Sequence, residues 1–285
     1  MSAETARRES GVGRSRLLGV GGVVVLAVLT LLGAMAGVWK VLAIAWVAFL
    51  AMALGAPLGA RAAGRPHAHR LVWGYGLASG AMITSAAMFV VPGAIGPNPP
   101  VGGFGIAVGI LVGFGSHTIG HRLAHLDLPL DTTAAQITAH ALSAGAIIGV
   151  IYAAMPDLGL LLGLAIVSHK GPAGYAAARR MASQGRSPVA LLLPAAGVGL
   201  TAIPMALLTP PVSASVRAAV FGFAAGVFLH VAMDFLPECE IGGEVGEVAQ
   251  LTGEAHQLLD RLRVHAVLST MTGGLAVFGA WLALS

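Results

Sequence analysis

Apolar residues in this 285-residue chain do not alternate with polar ones over short distances; they run in long blocks separated by short polar, basic or proline-bearing stretches. The blocks fall at 17–38, 41–60, 71–95, 103–124, 134–155, 158–178, 188–209, 215–237 and 264–284. Each matches the length of a helix crossing a hydrocarbon core of about 30 Å. A membrane β-barrel would instead show alternating segments of about ten residues. The pattern predicts nine spanning helices in an all-α polytopic membrane protein.

Composition agrees, with 56% hydrophobic and only 10% charged residues, far from a soluble domain. Forty glycines suit membrane helices, where small residues allow close backbone approach. Charge then sets the orientation. Arg7, Arg8, Arg14, Arg16, Arg61, Arg65, Arg70, Arg122, Arg179, Arg180, Arg186, Arg261 and Arg263 all fall on one side of a nine-span arrangement, against Lys40 and Arg217 on the other. The positive-inside rule makes the first side cytoplasmic. Residues 1–16 are then a cytoplasmic tail, and the C-terminus is extracytoplasmic in a plasma or inner membrane. The net charge of +4 follows from this topology and signals no nucleic-acid partner.

Block 17–38 has two readings. Arginines, an apolar run and Ala34-Met35-Ala36 resemble a signal peptide with its cleavage site; the length of the run favours a retained helix. The single Cys239 excludes an intrachain disulfide. Weak internal symmetry is also present: Gly76-Leu77-Ala78-Ser79-Gly80 aligns with Gly222-Phe223-Ala224-Ala225-Gly226, Ala86 with Ala232, and Phe89 with Phe235. These segments cross the membrane in opposite directions, as expected of inverted-repeat transporters.

Two histidine motifs, HALSAG at 140–145 and HKGPAG at 169–174, lie inside apolar blocks. An ionisable side chain at membrane depth is costly unless it lines a cavity or finds a partner, so it marks a functional site by default. The shared histidine, alanine and glycine offsets suggest one buried site built by two related helices.

With these motifs in order, the chain over about 41–284 resembles the ZIP (Zrt/Irt-like) metal-ion transporters, with 17–38 as an extra N-terminal helix. The family's fourth and fifth helices carry motifs of the form H-N-x-P-E-G and H/Q-D/E-x-P-E-G, in the places of HALSAG and HKGPAG. GAPLGA at 55–60 fits the first helix and GYGLASGAMI at 74–83 the second. GFAAGVFLHVAMDFLPE at 222–238 fits the seventh most specifically. The resemblance implies an eight-helix ZIP-like bundle with inverted repeats. It also implies transport of a divalent metal, zinc being the expected ion, toward the cytoplasm through ligands His140 and His169. Asp234, His230, Met82 and Ser143 would assist. No permanently bound cofactor is implied, since zinc is cargo. The partners are the bilayer and the metal ion, with a homodimer left open.

Departures from the family pattern are specific. Ala144 and Ala173 stand where the motifs carry carboxylates, Ala141 replaces an asparagine, and Lys170 replaces an acid or amide. Thr201-Ala202-Ile203-Pro204 keeps the sixth-helix proline without its acid. Zinc is held by three or four N, S or O ligands, so Lys170 modulates the site unfavourably. At about 4 Å and an effective dielectric near 20, one unit-charge repulsion is about 4 kcal/mol, and a dication feels roughly twice that. An uncharged Lys170, a Lys170–Asp234 pair, or a Lys170 standing in for a second metal would each relieve it; a lysine snorkelling to the interface is the bland alternative, disfavoured by the place of Lys170 deep inside the block 158–178.

His117, His121 and His125 recur at helical spacing, as do His230, Asp234 and Glu238. Imidazole and carboxylate on one helix face can pass a metal toward a cytoplasmic exit, although the first set equally suits a solvated helix end. Met82 also suits packing. His67 and His69 read as loop, and the acidic part of 238–263 as a solvated loop with a short surface helix. No Walker-type glycine loop is present, so the expectation is a carrier and no enzyme. The alternatives are a transport-inactive ZIP-fold protein with a structural, sensing or partner-binding role, or a carrier of another solute.

Overall fold

A computed structural model describes residues 3–63, 68–123, 132–155, 160–167, 169–208, 213–234, 236 and 255–284. All regular structure among them is helical. Helix α1 spans Ala3–Met35, α2 Trp39–Arg61 and α3 Ala68–Ser85; a π-helical turn, Ala86–Val90, joins α3 to α4, Val91–Ile95. There follow α5 (Pro99–Leu123), α6 (Thr132–Ala154), α7 (Leu160–Val167) and α8 (Lys170–Ser183). A 3-10 turn at Pro188–Leu191 leads into α9 (Leu192–Leu207), and α10 (Ala214–Asp234) and α11 (Ala255–Leu284) complete the set.

Among the described residues, seven helices are long and apolar enough to cross a membrane: Arg16–Met35, Trp39–Arg61, Ala68–Ile95, Ile137–Ala154, Pro188–Leu207, Ala214–Asp234 and Leu259–Ala283. The chain is a multi-pass membrane protein, and these spans coincide with seven of the nine blocks. The other two blocks differ from expectation. Block 103–124 is helical within α5, whose apolar part is the shorter Pro99–Gly115. Block 158–178 is interrupted: α7 stops at Val167 and α8 starts at Lys170.

Pro172 explains the interruption. Its ring has no N–H and would collide with the carbonyl of Ser168 in a continuous helix, whereas proline is tolerated in the first turn of a new one. HALSAG has Ser143 at the corresponding place, and α6 runs unbroken through it. Pro92 would meet the carbonyl of Met88 in a regular helix in the same way, and just before it the chain widens into the π-turn.

The described helices form two compact units. The first comprises Met1–Ala63, Gly115–Gly163 and Ala173–Pro211; the second, Gly64–Phe114, Leu164–Pro172 and Val212–Ser285. In the first unit, α9 is the hub. It packs on α1, α2 and α6, and its span is the most buried of the seven. Leu26 of α1 is fully buried against Gly199 of α9, and the Trp46 indole donates to Thr30 Oγ1 at 3.1 Å, tying α2 to α1. The α1–α2 turn needs Gly37, whose φ of 75° lies where side chains are disfavoured.

In the second unit, α3 packs along α11 and against α10. The span of α11 is the least buried of all. Its Val264, Val267, Leu268, Met271, Leu275 and Leu282 are exposed, as suits side chains facing lipid tails.

Candidate functional site

Glycines set the helix positions that frame the two histidine motifs. In the first unit, a Cβ on Gly145, the last residue of HALSAG, would overlap the Val198 carbonyl oxygen and Thr201 Oγ1 of α9. Gly149, one turn on, meets the Ala202 carbonyl in the same way. Thr201 fastens this contact, its hydroxyl donating to the Leu142 carbonyl at 2.6 Å. Gly174, the last residue of HKGPAG, seats on α2, where a Cβ would lie 2.8 Å from the Met52 carbonyl oxygen. Tyr175 and Gly59 extend that contact. Each motif glycine, five residues after its histidine, thus docks its helix on a different neighbour.

The second unit repeats the device. Gly76 and Gly80 of α3 approach Ser269 and Thr270 of α11, while Gly222 and Gly226 of α10 approach Gly102, Gly105, Ile106 and Gly109 of α5. The two glycine pairs are the ones aligned in the sequence. Close approach of this kind is how small residues hold membrane helices together.

On this frame the proposed site residues fall as follows. His140 is half-buried and Ser143 exposed on α6, in the first unit. The Ser143 hydroxyl donates to its own helix at the Ala139 carbonyl, 2.9 Å away. His169, Lys170, Met82, His230 and Asp234 belong to the second unit. His169 occupies the turn between α7 and α8 and is 1% exposed; Lys170 opens α8 at 1%, and Met82 of α3 is 2% exposed. Both polar side chains of HKGPAG are thus buried, in keeping with the depth of Lys170 in its block and not with a snorkelling lysine.

His230 Nε2 lies 3.3 Å from Asp234 Oδ2, one turn along α10. The imidazole covers Gly113 of α5, where a Cβ would overlap the ring, so the α5–α10 glycine contact also fixes this histidine. Just beside it, the buried Ser79 hydroxyl of α3 donates to the Ala232 carbonyl at 2.7 Å. The Lys170–Asp234 pair, one of the three arrangements considered above, is not formed: among the described residues the Lys170 Nζ is buried with no hydrogen-bond partner.

The backbones of His117 and His121 continue α5, while His125, Glu238 and Cys239 lie outside the described residues. His69, expected in a loop, sits in the first turn of α3. Its ring meets His265 edge to face at 4.9 Å, and His265 Nδ1 accepts the Trp73 indole N–H at 3.1 Å. His265 on α11 was not among the sequence candidates, because nothing in its neighbourhood along the chain indicates α3 as its partner. No group of three or more His, Cys, Asp or Glu side chains placed to hold a metal occurs among the described residues.

No protein-family model matches the chain. No curated protein matches it either.

Proposed function

We propose that the chain is a ZIP-like carrier that moves a divalent metal ion, zinc the expected one, toward the cytoplasm, with His140 and His169 as core ligands. The observation that carries this reading is the parallel seating of the two motifs. HALSAG and HKGPAG each place a histidine five residues before a glycine that docks its helix against a neighbour. The contact of α6 with α9 thus has a counterpart in the contact of α8 with α2. Within the second unit, the glycine contacts of α3 with α11 and of α10 with α5 correspond likewise. Such internal equivalence supports an inverted-repeat carrier, whose substrate site belongs at the repeat interface. His230 with Asp234, and Met82, would extend the ligand set. Lys170, whenever it carries its proton, would tune it against tight binding.

One observation favours a second reading. A buried lysine follows His169 where the resemblance would place an acid or amide, so a ZIP-fold protein that transports no metal, or carries another solute, is the alternative. Zinc uptake into proteoliposomes tests between them. The wild type should take up zinc saturably, His140→Ala and His169→Ala should abolish it, and Lys170→Asp should raise uptake. Wild-type uptake no greater than that of protein-free vesicles would remove the metal reading.

A further inference from the structure

Helix α11 has the least buried span of the seven, and α3 packs along it. Through the middle of this contact the seats are small, with Gly76 on Ser269 and Gly80 on Thr270. At the end where α3 begins they give way to His69, Trp73 and His265. The Trp73 indole N–H donates to His265 Nδ1 at 3.1 Å, so this nitrogen must offer a lone pair. A neutral imidazole carries its one proton on the other nitrogen, which fixes His265 with its proton on Nε2. An imidazolium has two N–H donors and no acceptor; it would turn an N–H toward the indole N–H. This bond between α3 and α11 therefore exists only while His265 is uncharged.

Protons have access to the place. His265 is half-buried, and His69, whose ring meets it edge to face at 4.9 Å, is exposed. The charged groups around it are mostly basic. On α3, Arg70 follows His69. On α11, Arg261 lies one turn before His265 on the same face, while Asp260 is engaged by Arg263 at 3.2 Å. The acids of 238–254 lie outside the described residues; a carboxylate near His265 would move the pH at which it charges, not the direction of the effect.

We propose that Trp73 and His265 form a proton-released latch between α3 and α11, closed while His265 is neutral and open once it takes up a proton. Histidine changes charge between about pH 5 and 8, so acidification within that interval opens the latch and a return to higher pH closes it. Opening frees the first turns of α3, the helix that carries Met82 and, through Ser79, the hydrogen bond to Ala232 of α10. The latch needs no metal and stands apart from the zinc reading.

The full chain in zwitterionic lipid nanodiscs, with chelator present, is compared at about pH 8 and about pH 5, the limits of that interval. Nitrogen NMR on isotope-labelled histidine reads the His265 tautomer. Hydrogen exchange, corrected for its intrinsic pH dependence, reads residues 68–76 of α3 and 262–269 of α11. At the higher pH His265 should show a bare Nδ1. Acidification should charge it and speed exchange in both segments by about 2- to 10-fold, the factor that the net worth of one hydrogen bond gives. His265→Gln, whose side-chain oxygen can accept from Trp73 at either pH, should remove the rise, and His69→Gln should keep it. Should His265→Gln fail to fold, Trp73→Phe replaces it; without the donor, exchange should again lack the pH step. A proton on Nδ1 at the higher pH overturns the proposal, as does a rise that persists in His265→Gln or vanishes in His69→Gln. Wild-type exchange that does not change with pH overturns it too. The imidazolium would then be held against the Trp73 ring, whose centroid is 6.2 Å away, as a cation–π pair. Because metal is chelated, none of these results bears on zinc uptake.

Discussion

Replacing Gly145 by alanine sets two effects of opposite sign against each other. Alanine is the better helix former by about 0.8–1.0 kcal/mol in a helix interior. At Gly145, however, the new methyl overlaps the Val198 carbonyl oxygen and Thr201 Oγ1 of α9. The first of these is helix backbone, which cannot rotate aside, so α6 and α9 must separate. Overpacking of this kind costs typically about 1–3 kcal/mol, and separation also stretches the 2.6 Å bond from Thr201 to Leu142. The net expectation is destabilisation by up to about 2 kcal/mol. Gly174→Ala should fall in the same direction but be milder, because its methyl meets the flexible Met52 Cγ at 2.9 Å as well as the carbonyl at 2.8 Å. Gly21 and Gly279 supply the controls, since a Cβ there meets nothing within 4 Å. Alanine at either should leave stability unchanged or raise it by up to about 1 kcal/mol. Reversible unfolding in mixed micelles reads all four variants. Helices persist in that unfolded state, which shrinks the propensity gain and widens the contrast. A Gly145→Ala protein as stable as Gly21→Ala would refute the close seating of α6 on α9, and with it the matched docking of the two motifs.

Ser79→Ala should cost about 0.6–1.7 kcal/mol, the range for interhelical hydrogen bonds in membranes, because it removes the buried donor to the Ala232 carbonyl. Ser143→Ala, whose hydroxyl bonds only within its own exposed turn, should be near neutral, and equal losses in the same unfolding assay would contradict both placements. A reporter fused after Ser285 should read as extracytoplasmic if the thirteen arginines mark the cytoplasmic side; a cytoplasmic signal would mean that the number of crossings is even.

The sequence by itself determined the class of the molecule. Helices that must satisfy every backbone group within one segment need long unbroken apolar runs, and such runs are visible without any knowledge of contacts. Seven of the nine blocks accordingly reappear as spans. The glycine pairs at 76/80 and 222/226 were also legible, because close approach leaves a mark in composition. What those glycines approach was not. Gly80 meets Thr270 and Gly226 meets Gly109, pairings between distant segments that no local pattern encodes. The break at HKGPAG could have been read from Pro172 against Ser143, a difference in backbone chemistry between motifs compared there only for their shared residues. Only the tertiary structure decided that Lys170 is buried with no hydrogen-bond partner among the described residues and that His265 meets His69 and Trp73. Both are properties of packing, in which the cost of a charge or the tautomer of an imidazole depends on groups far away in the chain.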